Sequence, residues 1–363
     1  MEKLFTAGPV SLDEEVMKAL SRPVMSHRGS EFRAILKDVE DKLCEAYGTE
    51  YGMVDVLMGS GTLAVDAMVY SSVNRGDRVL VINHGEFGQR FKQSLERRCA
   101  VINELKADEG NAVDAEHVLA EIDKEDYDAL AMVYTETSMG LAYRDAERIG
   151  RRAKEKGIRV LVDAASAMFG EDIKLDGGYF DAVSTCSQKC AAAPPGISFV
   201  GLSEEACRFV YGVGEKPRYL DLAIYADSMR KGYDVPQTPA VNLVYALDKA
   251  LDIMLDTGME KWIEKHRQLT GKLYAELPKL GYRILVANEA YRSNSVAAFR
   301  VPEGLSSDQV IERVGKEGYV LSQGMGSLKS SVVRIGTMGT INMDDVDRFI
   351  GILKDMNGWQ GKE

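Results

Sequence analysis

Metal ligands and disulfide-forming residues are scarce in this sequence. It has five cysteines and four histidines among 363 residues, and none of them form the closely spaced sets that zinc sites need. The cysteines are odd in number and scattered, and the N-terminus lacks the apolar core of a signal peptide. These features predict a reduced, cytoplasmic protein without disulfides and without a bound metal.

Long apolar runs and an excess of basic residues are missing too. No run approaches the ~20 apolar residues that span a bilayer, so we expect no membrane partner. The formal net charge of −11 argues against a nucleic-acid-binding surface, which would need a basic stripe. Hydrophobic residues at 45% and charged residues at 28% are instead typical of a globular protein.

Predicted strands and helices alternate through the first half of the chain. Strands are expected at 51–58, 78–83, 100–105, 129–135, 159–163 and 197–202, and Ser11 is expected to cap a first helix. Strands that are apolar along their whole length indicate a mostly parallel sheet covered on both faces. Beyond about residue 258 the pattern of helices and strands changes to one that is typical of a smaller α+β domain.

The change of pattern predicts an α/β fold in two domains. The large domain is expected over residues 13–255, and a small C-terminal α+β domain over 256–363, which the N-terminal arm 1–12 joins. In mostly parallel sheets the ligand lies beyond the carboxyl ends of the strands. We therefore expect the functional side chains directly after the predicted strands.

A carboxylate and an amine stand at the ends of two segments that read as buried. Asp163 ends the apolar run 159–163, and Lys189 follows Ser187-Gln188 at the end of a second run. A carboxylate beside a pyridine nitrogen keeps that nitrogen protonated. A primary amine whose pKa falls on burial can form an imine. The pair therefore indicates chemistry on a cationic heterocycle.

A glycine-rich turn between a strand and a helix indicates an anion site. Residues 58–64 read Met-Gly-Ser-Gly-Thr-Leu-Ala, and a helix N-terminus offers free N–H groups to a phosphate. The turn also fits the dinucleotide pattern G-x-G-x-x-A. That alternative needs an acid at the end of the next strand, where Asn83 and His84 stand instead. A monophosphate ligand therefore fits better.

Three other positions carry candidate side chains, each with a structural alternative. Phe87 either stacks on a ligand ring or packs in the core of its helix. Thr137 or Ser138 either donates to a phenolate oxygen or begins a loop. Arg334, a lone arginine in an apolar strand, is either a clamp for a carboxylate or a surface residue.

Taken together, these residues resemble a known family. The matching stretches occur in family order and read AGPV, GSGTLAVDA, HGEFGQR, ETSMG, VDAASAMFG, SQKCAAAPPG, QTPAVNLVYAL and VRIGTMG. The chain resembles the class V aminotransferases of the pyridoxal-phosphate fold type I family. It is most similar to the alanine–glyoxylate and serine–pyruvate branch. The resemblance implies a seven-stranded, mostly parallel sheet in the large domain.

The resemblance also assigns roles to residues. It implies that Lys189 is the Schiff-base lysine of a pyridoxal 5'-phosphate-dependent aminotransferase and that Asp163 is the partner of the pyridine nitrogen. The other implied cofactor contacts are Ser60, Gly61, Thr62, Phe87, Thr137, Gln188 and Thr238, and the implied substrate contacts are Arg334 and Gly8. Thr238 would reach the phosphate of the other subunit, so a homodimer with shared active sites is expected.

The expected substrates are a small amino acid of the alanine or serine type and a 2-oxo acid such as glyoxylate or pyruvate. His27-Arg28 resembles the pair with which phosphoserine aminotransferases hold a substrate phosphate, so a phosphate or phosphonate substrate stays an alternative. A cysteine desulfurase or lyase is a second alternative. Against it, Phe87 stands where those enzymes place a histidine, and no cysteine follows Cys207.

Overall fold

A computed structural model describes residues 2–177 and 179–357. Its strands are β1 Lys3–Phe5, β2 Met53–Met58, β3 Arg78–Asn83, β4 Val101–Lys106, β5 Ala129–Val133, β6 Thr135–Glu136, β7 Leu141–Ala142, β8 Arg159–Asp163, β9 Ala182–Cys186, β10 Ile197–Leu202, β11 Arg283–Ile284, β12 Val296–Arg300, β13 Tyr319–Gln323 and β14 Val332–Gly336. Its α-helices are α1 Glu14–Leu20, α2 Ser30–Tyr47, α3 Gly61–Ser72, α4 Glu86–Arg97, α5 Ala115–Lys124, α6 Ala146–Glu155, α7 Ala206–Phe209, α8 Leu222–Arg230, α9 Val241–Thr257, α10 Met259–Glu276, α11 Ser307–Lys316 and α12 Met343–Asn357.

A seven-stranded sheet forms the larger layer, as predicted. Its order is β2-β10-β9-β8-β5-β3-β4, and only β10 runs antiparallel to its neighbours. Every residue of β5 is buried, because apolar side chains on both faces pack against helices. An apolar core thus lies on each face of the sheet. The carboxyl ends of the parallel strands β3, β5, β8 and β9 lie at the same edge.

Parallel pairing places the predicted pair of charged residues side by side. Val133 at the end of β5 pairs with Asp163 at the end of β8, and Asp163 pairs with Ser184 of β9. Because β9 ends at Cys186, the turn that follows carries Lys189 to the same edge. The strand register is therefore what brings a carboxylate and an amine together from segments 26 positions apart in the sequence.

A five-stranded sheet, in the order β1-β13-β14-β12-β11, forms the smaller layer. The N-terminal strand β1 pairs in parallel with β13, with Lys3 opposite Tyr319. The remaining pairs are antiparallel. The predicted domain boundary between residues 255 and 256 falls within α9 and stays a prediction. No helix among residues 2–177 and 179–357 is long and apolar enough to cross a membrane.

The first helix begins later than its sequence signal predicts. Its N-cap is Asp13, whose carboxylate accepts a hydrogen bond from the Glu15 N–H at 2.8 Å. The prediction that Ser11 caps this helix was wrong, because the Ser11 hydroxyl instead accepts a hydrogen bond from the Leu4 N–H. Ser11 thereby fixes the N-terminal arm, which runs past the shared strand edge.

Candidate active site

A cavity of about 250 Å³ opens at the carboxyl ends of the parallel strands. Predicted site residues line it together with residues that sequence reasoning missed. The predicted ones are Gly8, Ser60, Gly61, Thr62, Phe87, Thr137, Asp163, Gln188 and Lys189. The missed ones include Arg90, Ser94, Ser166 and Cys186. The cavity thus gathers side chains from the N-terminal arm and from the ends of several strands.

The amino end of α3 offers unoccupied hydrogen-bond donors to the cavity. Ser60 is the N-cap of this helix, but its side chain makes no capping hydrogen bond. The Leu63 N–H bonds back to the Ser60 carbonyl at 2.9 Å, whereas the preceding amides of the turn have no intrahelical acceptor. Gly61 allows close packing here, since a Cβ would lie 3.2 Å from Cys186 Sγ. This geometry suits a phosphate.

Gln188 carries a buried polar atom without a partner. Its Oε1 is enclosed and accepts no hydrogen bond from the described part of the chain. Buried amide oxygens rarely stay unpaired, so such an atom in a cavity wall indicates a missing donor. A bound ligand, or water, would supply that donor.

Asp163 lies in the cavity wall with its carboxyl buried. Its Oδ1 accepts from the Ala165 N–H at 2.9 Å. The pKa of Asp163 is raised to about 6, mainly by burial and also by the charge of Glu136, while the Ala165 hydrogen bond and the charge of Lys189 oppose the rise. A cation placed beside this carboxyl would lower the pKa again, because an opposite charge favours the ionised form.

Lys189 lies in the cavity with its amine against the N-terminal arm. Its Nζ donates a hydrogen bond to the Ala7 carbonyl. Burial lowers the pKa of Lys189, and the positive charge of Arg334 acts in the same direction. The arm comes this close because residue 8 is glycine: a Cβ there would lie 2.7 Å from Lys189 Cδ. Gly8 also has φ +95°, a conformation that favours glycine.

Phe87 and Thr137 border the same cavity and follow the neighbouring parallel strands β3 and β5. Phe87 is half-buried on the first turn of α4, and the Arg90 guanidinium lies 5.0 Å from its ring centroid. Thr137 is buried, and its hydroxyl lies 2.6 Å from the Ser166 hydroxyl. Ser166 follows β8 by three residues and gave no sequence signal, since a serine in a loop is unremarkable.

Arg334 lies beside the cavity rather than in its wall. Its Nε donates to the Gln323 carbonyl at 2.7 Å, and Nη1 donates to the Thr137 carbonyl at 3.3 Å. These bonds leave part of the guanidinium fork without a protein acceptor in the described chain. Since Thr137 lines the cavity, the remaining donors are close to it.

Thr238 and the pair His27-Arg28 lie away from the cavity of their own chain. Thr238 is exposed. Arg28 Nη1 pairs with Asp234 Oδ1 at 2.6 Å and also donates to the Val235 carbonyl at 3.0 Å. Arg28 is therefore already occupied by a carboxylate, which weakens the case for a substrate phosphate at this pair.

The cysteines beside the cavity are poor nucleophiles. Burial raises the pKa of Cys186 to about 11 and raises the pKa of Cys190 as well. A thiol acts as a nucleophile only as the thiolate. The arrangement thus gives no support to a desulfurase reaction.

The residues present fit pyridoxal 5'-phosphate. The uncapped amino end of α3 suits its phosphate end, and Gln188 in the cavity wall carries amide N–H groups that can donate to a phosphate. Asp163 suits a protonated ring nitrogen, and Lys189 offers an amine of lowered pKa to an aldehyde. Among residues 2–177 and 179–357, no group of three or more His, Cys, Asp or Glu side chains could hold a metal ion.

Comparison with known proteins finds similarity over nearly the whole chain. A family model described as Aminotransferase class-V matches residues 7–349. An uncharacterized aminotransferase of Methanocaldococcus jannaschii is 33% identical over 346 residues, which cover 94% of this chain and 89% of that protein.

Solved structures match the fold over nearly the whole chain. The aspartate aminotransferase of subgroup IV from Thermus thermophilus is 32% identical, with a TM-score of 0.91 over 98% of this chain and 99% of that one. An alanine–glyoxylate aminotransferase from Nostoc sp. is 26% identical, with a TM-score of 0.92 over 98% of this chain and 94% of that one.

Proposed function

The chain belongs to the class-V aminotransferase family and is a pyridoxal-phosphate-dependent enzyme, and from that premise we propose its reaction. It moves an amino group from a small amino acid of the alanine or serine type to a 2-oxo acid such as glyoxylate or pyruvate. The observation that carries the proposal is the meeting of Asp163, Lys189 and the uncapped end of α3 in one cavity. The similar enzyme from Nostoc sp. is named for alanine and glyoxylate.

The chain's own residues divide the work of this reaction. When bound, pyridoxal 5'-phosphate supplies an aldehyde that takes up the amino group and a ring that withdraws electrons from the substrate Cα. Asp163 would keep the ring nitrogen protonated through its negative charge. The Lys189 amine, with its lowered pKa, would take the proton from the substrate Cα and deliver it to the carbon that carried the cofactor's aldehyde. Arg334 holds the substrate carboxylate, which orients the Cα–H bond.

A screen of amino donors tests the proposal. The holoenzyme is mixed with one donor at a time, without a 2-oxo acid, and the loss of the cofactor's absorption is followed. We expect alanine or serine to react fastest, and glyoxylate or pyruvate to restore the absorption. Faster reaction with phosphoserine or 2-aminoethylphosphonate would overturn the assigned donor class. Sulfide release from cysteine would overturn the reaction type.

We expect Arg334→Lys to raise the KM for the amino donor by ~10- to 100-fold, with a smaller effect on kcat. Lysine keeps the charge but lacks the two-pronged fork, and a tenfold change corresponds to ~1.4 kcal/mol. Steady-state kinetics with alanine would measure both constants. Arg300→Lys is the matched control, because Arg300 lies on the adjacent strand β12 and pairs with Glu109. An unchanged KM in Arg334→Lys would remove this arginine from substrate binding.

We also propose a homodimer in which Thr238 completes the site of the partner subunit. Ser60 and Thr62 at the cavity are exposed in the single chain, and so is Thr238. A second subunit would cover both surfaces and supply a hydroxyl to the phosphate. All five cysteines are free, which supports the further proposal of a reducing, cytoplasmic location.

Mixed dimers test the shared site. Thr238→Asp should weaken cofactor binding by at least ~10-fold, because its carboxylate repels a phosphate. Lys189→Ala should be inactive. A dimer with one subunit of each kind contains one site with both native residues. At a cofactor concentration too low to load Thr238→Asp, mixing should therefore give activity that neither variant shows alone. Sedimentation would verify that mixed dimers form. Failure of formed mixed dimers to regain activity would contradict the shared site.

A further inference from the structure

Glu136 is a wholly buried carboxylate to which the proposed reaction gives no role. It ends the two-residue strand β6, directly before Thr137 in the cavity wall. No Lys, Arg or His of the described chain lies within ion-pair distance of it, whereas buried carboxylates usually have a cationic partner. Some other group must therefore stabilise its charge.

Backbone amides supply that stabilisation. The carboxylate accepts from Phe87 N–H at 3.1 Å, from Gly88 N–H at 3.0 Å and from Ser138 N–H at 3.1 Å. The Ser138 hydroxyl donates to it as well. Hydrogen bonds to a charged acceptor are about twice as strong as neutral ones. Two of these amides belong to the first turn of α4, where the helix dipole also favours a negative charge.

The helix cannot cap this turn itself. Its N-cap is Gly85, which has no side chain to accept from the first amides. A Cβ at this position would lie 2.8 Å from Ser138 Oγ and 2.9 Å from Glu136 Cδ. The glycine therefore leaves the space through which a carboxylate from a different strand reaches the helix end. This accounts for the glycine two residues before Phe87.

The segment 136–138 also holds the other side of the cavity. The Thr137 carbonyl accepts from Arg334 Nη1 at 3.3 Å, and the Thr137 hydroxyl lies 2.6 Å from that of Ser166. Burial lowers the pKa of Arg334, and the charge of Glu136 partly opposes that shift. One rigid segment thus joins the ring-facing helix turn to the arginine beside the cavity.

We propose that Glu136 is a positioning residue that caps α4 from another strand and thereby fixes Phe87 and, through Thr137, Arg334. The proposal rests on the function assigned above, in which these two side chains face the cofactor ring and the substrate carboxylate. An uncharged residue cannot replace it, because glutamine has one acceptor oxygen and would turn N–H groups toward the amides of α4.

The test uses Glu136→Gln in the full chain, with two readouts that need no turnover. Hydrogen–deuterium exchange of the Phe87 and Gly88 amides should become at least ~10-fold faster than in the wild type. The Kd for pyridoxal 5'-phosphate, measured by titrating the cofactor-free protein, should rise by ~10- to 100-fold as the charge-assisted bonds are lost. In the loaded enzyme, the KM for the donor should rise as well.

Two further variants guard against a general loss of folding. Gly85→Ala keeps the carboxylate but places a methyl group against it, so it should reproduce both effects. Ser138→Ala removes only the hydroxyl donor, and both readouts should stay within about threefold of the wild type. Unchanged exchange in Glu136→Gln, or in Gly85→Ala if the former does not fold, would overturn the proposal. An unchanged cofactor Kd would overturn it equally.

The outcome is separable from that of the proposed function. If exchange and cofactor affinity change as expected while the wild type transfers no amino group, the positioning role stands and the assigned reaction fails. If the wild type transfers amino groups and Glu136→Gln keeps native exchange, cofactor Kd and KM, the positioning role fails and the reaction stands.

Discussion

Replacement of Lys189 by alanine is expected to lower kcat by ~10⁴-fold or more. Among the described residues that line the cavity, Lys189 alone carries an amine, so the variant loses both covalent attachment of the cofactor and the group that moves the Cα proton. Steady-state turnover with alanine and glyoxylate gives the size of the loss. Borohydride reduction followed by mass spectrometry should fix the cofactor on the wild-type chain and leave the variant unlabelled.

Lys265→Ala is the matched control for this prediction. Burial also lowers the pKa of Lys265, and its Nζ also donates to a backbone carbonyl, that of Gly339 at 2.8 Å. It differs in lying outside the cavity, so kcat should stay within a few-fold of the wild type. Full turnover by Lys189→Ala, or borohydride labelling at another lysine, would refute the role given to Lys189.

Asp163→Asn is expected to lower kcat by ~10³-fold while preserving the shape of the cavity. Asparagine cannot hold a proton on the ring nitrogen by charge, so the bound ring withdraws electrons less strongly. Each unit by which the pKa of the ring nitrogen falls corresponds to ~1.36 kcal/mol less stabilisation of the protonated ring. The pH dependence of the bound cofactor's absorption would report this change directly. An absorption profile and a kcat equal to those of the wild type would refute the role of Asp163.

The same substitution is expected to increase the stability of the protein without cofactor. The folded-state pKa of about 6 lies above the unfolded value of 3.8, so the folded form prefers the protonated acid. The stability that protonation of this group contributes is fully present below pH 3.8 and is lost as the pH rises from there through about 6. Cofactor-free Asp163→Asn should therefore be more stable than wild type by ~3 kcal/mol at pH 8, and by about half as much at pH 5.

Urea unfolding of the cofactor-free proteins at both pH values measures this difference. The control is Asp344→Asn, which makes the same replacement at an exposed position outside the cavity. A cofactor-free Asp163→Asn that is less stable than wild type at pH 8 would contradict the sign of the effect. Activity and cofactor-free stability thus change in opposite directions at one residue.

The sequence predicted that Asp163 and Lys189 lie close together, because the order and direction of the strands decide which strand ends are neighbours. Carboxyl ends of parallel strands meet at one edge whatever the details of packing, so residues that directly follow such strands are brought together. The same reasoning placed Phe87 and Thr137 near the site. It requires only the order and direction of strands, both of which are encoded locally in the apolar pattern.

Glu136 and Ser166 could not be predicted in this way. Their partners are backbone amides and hydroxyls from other segments, and backbone groups leave no residue-type signal in the sequence. Arg90 was missed because it lies a turn inside α4 and reaches the cavity by the length of its side chain. Each of these contacts depends on the distance and orientation between two segments of the folded chain, which the sequence pattern does not reveal.

The strand β13 was missed for a related reason. Its residues Tyr319–Gln323 include half-buried polar side chains and follow α11 closely, so the apolar pattern is short and weak. Its strand conformation depends on pairing with β1 and β14, one of which lies at the opposite end of the chain. Local propensity has little influence where long-range pairing supplies the hydrogen bonds.

The pairing of the N-terminal arm has a consequence for biosynthesis. The Ala7 N–H donates to the Ser322 hydroxyl across 315 residues, and the Ala7 carbonyl accepts from Lys189. A ribosome delivers Ser322 315 residues after Ala7, and a contact of such separation forms only after both segments are free. The strands of the larger sheet are all translated before β13. The Lys189 amine therefore gains its contact with a fixed arm only after β13 has left the ribosome, so the site is completed later than the sheet that carries it.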